Sequence, residues 1–455
     1  MNNLFNTDKT IVAISTPIGA GGISIVRMSG KDAIKIADRL FLSLGAKKPS
    51  TFASNFLTLG KFKGETAKDK CFCVVFRAPN TFTGENLVEF QCHGGIKLTE
   101  LILKDCLKAG AVLARNGEFS VRAFINGKMT LSEAEGMIDL INAESESEIN
   151  AGFSLMEGGL TQKVNAYQKE LVDIMGEIEV SFDYPEEDIE YVTLPIVKKR
   201  LANLLDNLKN LINTGSTGAI IKNGINAVIV GKPNVGKSSL LNALINKEKA
   251  IVTNIAGTTR DIIEDAFTVN GVKVNIIDTA GIHETKDKIE KIGVEKSLSE
   301  INKADIVIMV VDGSSKISQE DERIYAKIKN KKHLILVNKA DKKQEIGTSL
   351  WGEKVFKISA KKGKNIEELK SVIYDMVIDK DVISNTVIIT SARHSECLKS
   401  AYNSILHALQ GIMNVSLDLT AIDLNEAFSA LGEITGTTSN EVVLDSIFSK
   451  FCLGK

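Results

Sequence analysis

The spacing of apolar residues changes twice along this chain. Over the first quarter they come in short runs, Thr10 to Ser15, Ile23 to Met28, Phe72 to Phe76 and Leu87 to Cys92, separated by helically spaced stretches, Asp32 to Leu40 and Lys97 to Ala109. Strands interleaved with helices in this way predict an α+β domain over 1–125. From Leu131 the spacing turns helical. Ile138, Ile141, Leu155, Leu160, Val164, Leu171, Ile174 and Ile178 recur at roughly helical intervals in a long stretch with few breakers before Pro185. Ser132 precedes Glu135 by three, the spacing of a capping box, and is the expected helix start.

A third pattern occupies the middle. Ile225 to Val230, Val272 to Ile277, Leu334 to Val337 and Val355 to Ile358 are continuous apolar runs of the kind buried in a parallel sheet, and a helix is predicted from Ser238 to Leu244. Helical spacing then resumes with Leu398, Ile405, Leu406 and Leu409, followed by Leu424, Phe428, Leu431, Val443, Ile447 and Phe451. The two helical stretches are most simply halves of one discontinuous domain, 126–220 and 379–455. The module at 221–378 would be an insertion, entered through Asn213 to Gly224, which contains Gly, Thr and Ser, and left near Asp379 to Asn385. The expected fold is therefore multidomain, α+β and α/β.

Composition narrows the function. The 455 residues exceed a single core, and 44% apolar content suffices for globular packing. A net charge of −1 excludes a uniformly basic nucleic-acid binder, so any RNA contact must use local patches. No apolar run approaches a membrane span, and Met1 to Thr10 has neither a basic start nor an apolar core suited to secretion. Six cysteines, at 71, 73, 92, 106, 397 and 452, form no Cys-x-x-Cys pair and no disulfide framework. A cytoplasmic protein without membrane association is expected. Cys92-His93 has no second ligand pair nearby, so it reads as buried or loop residues, not a metal site. Pro17-Ile-Gly19-Ala-Gly21-Gly22 lacks the third glycine and the following helix of a dinucleotide fingerprint, and reads as a turn or ligand-binding loop.

The middle module carries ordered chemistry. Gly231-Lys232-Pro233-Asn234-Val235-Gly236-Lys237-Ser238 lies between a strand and a helix, where a Gly-rich turn presents backbone N–H groups to phosphate oxygens. Lys237 adds charge at the β- and γ-phosphates, and Ser238 offers a hydroxyl to Mg²⁺. Asp278, ending an apolar run, is placed to hold the same ion through water. Thr279, Ala280 and Gly281 follow it, and the Gly281 N–H can approach the γ-phosphate. Gly257-Thr258-Thr259 fits a switch ordered by metal and γ-phosphate, with Thr259 a second Mg²⁺ ligand. Asn338-Lys339-Ala340-Asp341 sets the base, because the Asp341 carboxylate accepts two N–H bonds that guanine offers and adenine does not. Ser359-Ala360 fits a backbone contact to the guanine oxygen. Ile282 stands where Ras-like enzymes place a water-orienting glutamine, and no arginine finger is identifiable. The residues alone leave His283, Glu284 and Glu290 open as substitutes.

Over essentially its full length the chain resembles the MnmE/TrmE family of bacterial and organellar tRNA modification GTPases. The resemblance rests on Thr10-Ile-Val-Ala, Gly21-Gly22 followed by Arg27, Arg77-Ala-Pro-Asn-Thr-Phe-Thr-Gly-Glu85, His93-Gly-Gly95, Arg122-Ala-Phe-Ile-Asn-Gly-Lys128, Gly257-Thr-Thr-Arg-Asp261 and Phe451-Cys-Leu-Gly-Lys455. Leu453 stands where isoleucine is usual, a change of similar volume.

The resemblance implies a K⁺ ion liganded by Asn234, Thr253, Ile255 and Thr258, whose charge answers the missing arginine finger. It also implies a nucleotide-binding set that takes in Val235, Ser239, Asn254, Ala256 and Lys361, and Glu290 rather than Glu284 as the residue that orients water. Its N-terminal domain is implied to hold a homodimer and a tetrahydrofolate, as the 5,10-methylene or 5-formyl derivative, with Arg27, Glu85, Lys128 and Lys455 at the matching positions. Cys452, a thiol near a cationic terminus, is a candidate nucleophile. The implied activity uses GTP and an FAD-dependent MnmG-like partner to add an aminomethyl-type group at C5 of the wobble uridine of tRNA. A ribosome-assembly switch of the Era/EngA kind is the alternative; it predicts a second GTPase module or a KH-like RNA domain. The P-loop occurs once, and no basic Gly-x-x-Gly loop lies between helices. A folate-binding scaffold with vestigial hydrolysis is a third reading, and the intact motifs argue against it.

Overall fold

The computed structural model describes residues 8–183, 189–245, 265–278, 300–379, 387–412 and 417–454. The chain divides into two compact units. One comprises Met1–Ile141, Gly152–Leu205 and Cys397–Lys455, the other Asn142–Ala151 and Asp206–Glu396.

The first unit opens with a seven-stranded sheet made of β1 (Ile11–Ile14), β2 (Ile23–Ser29), β3 (Phe41–Ser43), β4 (Thr58–Lys63), β5 (Lys68–Phe76), β6 (Leu87–His93) and β7 (Val112–Leu113), in the order β3-β4-β5-β6-β2-β1-β7. Every pairing is antiparallel except β1 with β7. Alternation explains which face is covered. Along β5, Cys71, Cys73 and Val75 are buried while Lys68, Lys70 and Phe72 are exposed. The buried set packs with Ile36 and Ile102, from the helices Ala33–Leu40 and Ile96–Lys108. The predicted strands and helices all form. The pattern missed β3, β4 and β7, which are short or interrupted; β4 carries Gly60, where a Cβ would lie 2.4 Å from the Leu42 carbonyl. It also missed the helix Glu118–Ile125.

The stretch from Leu131 to Asp183 is three helices, not one run: Leu131–Asn142, Glu146–Met156 and Gly159–Asp183. Breaks fall at Ser145, whose hydroxyl caps Glu148 N–H, and at Gly158 with φ 81. The first two helices pack closely at Gly136 and Gly152, where an added Cβ would lie 2.5 Å from Met156 N and 2.8 Å from Leu140 N. The expected capping box at Ser132 and Glu135 is corrected. The reciprocal pair is Thr130 and Glu133, with Thr130 N–H donating to Glu133 Oε2 at 2.9 Å and Glu133 N–H to Thr130 Oγ1 at 3.3 Å. Ser132 lies inside the first turn and bonds Thr161. The segment Asn213 to Gly224 is likewise not an irregular linker: the helix Ile189–Asn223 runs through it and ends at Gly224, φ 78. Thr214 and Thr217 are buried, so tertiary packing outweighs their weak helix propensity. Helix Gly159–Asp183 packs against Leu417–Thr435, bringing together chain on either side of the central module, with Gln168 Nε2 donating to the Phe428 carbonyl at 3.0 Å.

The second unit is built on β8 (Ile225–Val230), β9 (Asp265–Val269), β10 (Val272–Asp278), β11 (Ile306–Asp312), β12 (His333–Asn338) and β15 (Phe356–Lys357), in the order β15-β12-β11-β8-β10-β9; β13 (Ser349–Leu350) and β14 (Glu353–Lys354) form a separate hairpin. All pairs in the larger sheet are parallel except β9 with β10. The parallel strands are buried on both faces, which is why they read as unbroken apolar runs. Residues 142–151 belong to this unit because the β9–β10 turn docks on them: Ser147 N–H donates to the Gly271 carbonyl at 2.9 Å, and Lys273 pairs with Glu144.

Candidate functional site

Every described element of the nucleotide constellation sits at the carboxyl end of a parallel strand, where open α/β sheets form their ligand crevices. The loop after β8 leads into the helix Lys237–Ile245, and its shape needs positive φ at Gly231 (153), Asn234 (62) and Gly236 (100). Gly236 cannot carry a side chain, because a Cβ would lie 2.3 Å from Asn338 Nδ2. Lys237 folds back over the loop, with its ammonium donating to the carbonyls of Gly231 at 2.7 Å and Lys232 at 3.1 Å. Ser238 and Ser239 are exposed at the start of the helix, so the Ser238 hydroxyl is open to a hard cation. Asn234 is also exposed, an oxygen donor at the rim suited to an alkali metal.

Buried Asn338 joins three loops. Its Nδ2 donates to the Val235 carbonyl at 2.9 Å, and its Oδ1 accepts the Ala360 N–H at 3.0 Å. Lys339, φ 63, reaches the Asn234 carbonyl at 3.0 Å and pairs with Asp312 at the end of β11. Burial alone would raise the Asp312 carboxyl, but the Lys339 ammonium and the Ser314 donors outweigh it and hold the group below its usual range. Ala340 N–H donates to the Ile358 carbonyl at 2.9 Å, fastening the same two loops. Asp341 is exposed and oriented by buried Ser359, whose hydroxyl donates to Oδ1 at 2.6 Å and lowers the carboxyl's pKa. An aimed, ionised carboxylate beside the Ala360 backbone, with Lys361 exposed next to it, can take the N–H edge of a guanine. Thr253, Asn254, Ile255, Ala256, Gly257, Thr258, Thr259, Thr279, Ala280, Gly281, His283, Glu284 and Glu290 lie outside the described residues; for Asp278 the backbone position at the end of β10 is described.

A second cluster occupies the first unit. Arg27 on β2 faces Glu89 on β6, with Nε donating to Oε1 at 2.8 Å, and its guanidinium lies 5.9 Å from the Phe119 ring centroid. The C-terminal tail comes to the same place. Leu453 bridges to Asn116, and the Gly454 carbonyl accepts from Ser15 Oγ at 3.1 Å and from Arg27 Nη1 at 3.5 Å. Gly454 has φ 94 and passes so close to β1 that a Cβ would lie 2.3 Å from the Ile14 carbonyl. Cys452 is exposed while the other five thiols are buried; burial pushes Cys71 up to about 12 and raises Cys73, Cys92 and Cys106 as well. Glu85 is bonded by Ser29 and by buried Arg122, and exposed Lys128 passes close to Gly84. Gly21 and Gly22 have open space where a side chain would be. Cationic Arg27 and Lys128, a fixed carboxylate and an unfilled glycine loop suit a flat, N–H-bearing ring with an anionic tail. Lys455 lies outside the described residues. Cys92 is a buried strand residue donating to the Ser24 carbonyl at 3.2 Å, and exposed His93 pairs with Asp69 at 2.7 Å.

Sequence reasoning missed Asp312, Asp321 and Arg122. Asp312 ends an apolar run just as Asp278 does, so its signal was present. Asp321 caps the helix Gln319–Ile328 with Ser318 and holds Lys232 of the P-loop at 2.8 Å, a pairing across 89 positions with no local signature. Arg122 stood in a quoted motif, but nothing local marks an arginine for complete burial.

A parallel sheet whose carboxyl edge gathers a P-loop, an Asn-Lys-Ala-Asp loop and a Ser-Ala loop defines a P-loop GTPase. The family model described as the MnmE helical domain matches residues 131–452, and that described as the GTP-binding protein TrmE N-terminus matches 10–128. The tRNA modification GTPase MnmE of Acetivibrio thermocellus is 43% identical over 458 residues, covering 98% of this chain and 99% of that protein. Its counterpart from Clostridioides difficile is 40% identical over 456 residues, with the same coverage, 98% and 99%. Among solved structures, Aquifex aeolicus Era bound to GDP and aluminium fluoride is 28% identical over 40% of this chain and 66% of that one, with a TM-score of 0.26. The chain belongs to the MnmE/TrmE family of tRNA modification GTPases.

Proposed function

We propose that this GTPase couples hydrolysis to modification of C5 of the wobble uridine, position 34, in certain tRNAs. It acts as a homodimer in the cytoplasm with an MnmG-like FAD protein, and installs an aminomethyl or carboxymethylaminomethyl group from glycine or ammonium. In the GTPase unit Lys237 neutralises the β- and γ-phosphates, Asp341 selects guanine, and Glu290 orients the attacking water. Ser238 and Thr259 would hold Mg²⁺; Asn234, Thr253, Ile255 and Thr258 would hold K⁺, which supplies the positive charge other GTPases take from an arginine. In the body, Arg27, Glu85, Lys128 and Lys455 bind a tetrahydrofolate, which when bound supplies one carbon. Cys452 is the accessible thiol and serves as nucleophile.

The observation that carries this reading is the docking of the tail: the Gly454 carbonyl accepts from Ser15 and Arg27, so Cys452 stands two residues along the chain from the point where the tail meets Arg27. A nucleotide switch alone has no need of such a tail. The domain assignment that goes with this reading is a folate-binding domain at 1–125, helical segments at 126–220 and 379–455, and an inserted GTPase at 221–378. The test is nucleoside analysis of tRNA from cells lacking the gene, complemented with wild type or Glu290→Ala. Wobble modification should vanish in the deletion and return only with wild type; modification retained in the deletion excludes the proposal.

A further inference from the structure

Arg122 is the largest fully buried side chain among the described residues, and it is charged. A guanidinium is expensive to remove from water unless its donors are matched, so its partners show what the burial achieves. Nη2 donates to Glu118 Oε1 at 2.9 Å, and Glu118 is itself pinned by the Arg115 N–H on Oε2 at 2.9 Å. Nη1 is shared between both oxygens of Glu85, at 3.2 and 3.1 Å. Glu85 Oε2 also accepts from Ser29 Oγ at 2.7 Å, and Ser29 is completely buried beside Thr83. Both of these partners of the Glu85 carboxylate are therefore rigid: a buried strand serine and a buried arginine on the helix Glu118–Ile125. That helix is seated against the C-terminal segment at Gly117, φ 69, where a Cβ would lie 2.3 Å from the Phe448 carbonyl.

Glu85 differs from Glu118 in one respect. Glu118 keeps 9% of its side chain exposed and Glu85 17%, and of the roughly four acceptor positions of a carboxylate Glu85 has about one, on Oε1, open. The carboxylate is gripped from behind and presented forward.

We propose that Arg122 is a positioning residue of the folate site, acting through Glu85: it locks this carboxylate in one rotamer with its remaining acceptor aimed outward, so that an N–H edge of the pterin meets a preorganised partner. The inference rests on the proposed reading that Glu85 binds the ring. Arg122 does not touch the ligand; its contribution is transmitted through one side chain, which makes it separable from a role in packing alone.

The experiment measures binding of 5-formyltetrahydrofolate to the full-length protein by calorimetry, for wild type, Arg122→Lys, Glu85→Gln and the double variant, with thermal unfolding alongside. Lysine keeps the charge but cannot span Glu85 and Glu118 as a planar fork. Arg122→Lys should weaken binding about 10- to 100-fold, as expected when a charged hydrogen bond loses its alignment, and should add almost nothing to Glu85→Gln in the double variant. Wild-type affinity in Arg122→Lys, or losses that simply add, overturns the proposal. Unchanged affinity in Glu85→Gln alone is a different failure, that of the ring-binding reading. If the Arg122 variants do not fold, Ser29→Ala removes the other fixed donor to the same carboxylate. It should weaken binding several-fold and only where Glu85 is intact; a loss equally large in the Glu85→Gln background refutes the positioning role.

Discussion

The side chain of Asn338 donates to the backbone carbonyl of Val235 at 2.9 Å, across 103 positions of sequence. Its other end accepts from Ala360 N–H, so one buried amide registers the phosphate loop against the base-recognition loop. Asn338→Ala leaves the Val235 carbonyl and Ala360 N–H without this partner and should cost about 1–3 kcal/mol. Nucleotide affinity should fall with it. Thermal unfolding and titration with a fluorescent GDP check both; unaltered values would mean that the loops are held independently.

Asp341→Asn should exchange guanine for xanthine, because the amide donates where the carboxylate accepted. Competition between GTP and xanthosine triphosphate measures it, and an unchanged preference for GTP counts against the assignment. The Ser359 hydroxyl holds the Asp341 carboxyl below its usual range. The charged form thus persists as pH falls through the ordinary value of about 3.9, and guanine affinity is lost only below it. In Ser359→Ala that loss should begin at higher pH.

Acid stability has a defined sign. At Asp312 and Asp321 burial alone would raise the carboxyls, but donors from Lys339 and Ser314, and from Lys232 and Ser318, outweigh it, and both groups end lowered. A carboxyl lowered in the folded state contributes stability that is present above its unfolded value, near 3.9, and lost as pH falls through the folded one. Asp321→Asn should therefore reduce stability at neutral pH and flatten the acid limb of the profile. Urea unfolding from about pH 3 to 7 measures this; a parallel profile in the variant would show that Asp321 gains nothing on folding.

Gly454→Val should displace the tail, since the residue has φ 94 and a Cβ would lie 2.3 Å from the Ile14 carbonyl. Amide exchange at Leu453 should accelerate and tRNA modification should fall. Protection equal to wild type would show that the tail is held elsewhere.

Four of the five parallel strands and the P-loop were read because their physics is local: unbroken apolar runs, a glycine turn and polar residues at strand ends; β11, Ile306–Asp312, carries the same signal and was missed. The α+β strands β1, β2, β5 and β6 were legible from their apolar runs, whereas β3 and β7 are only three and two residues long and β4 is interrupted by Gly60. Helix ends were harder. Thr130 and Ser132 both precede a glutamate by three and both hydroxyls bond Thr161, so only the reciprocal bonds between Thr130 and Glu133 in the folded chain identify the cap. Asn213 to Gly224 has linker composition, yet Thr214 is buried and its hydroxyl accepts from Ile389 N–H at 3.1 Å, a partner 175 positions away. Arg122 and Asp321 were invisible for the same reason, since their meaning lies in partners that only the folded chain supplies.

Replacing KCl by NaCl should slow GTP hydrolysis on the order of 10²-fold, the scale for loss of one transition-state charge contact. Stopped phosphate-release assays measure it. Equal rates in the two salts would remove the alkali metal from the site of Asn234.

The central claim is that hydrolysis, and not nucleotide binding alone, drives tRNA chemistry in a folate-bearing body. Its most direct test is reconstitution with unmodified tRNA, methylenetetrahydrofolate, glycine or ammonium and the FAD partner, supplied with either GTP or a non-hydrolysable analogue, with modified uridine quantified by mass spectrometry. The account predicts modification with GTP and almost none with the analogue; equal yields with both would contradict it.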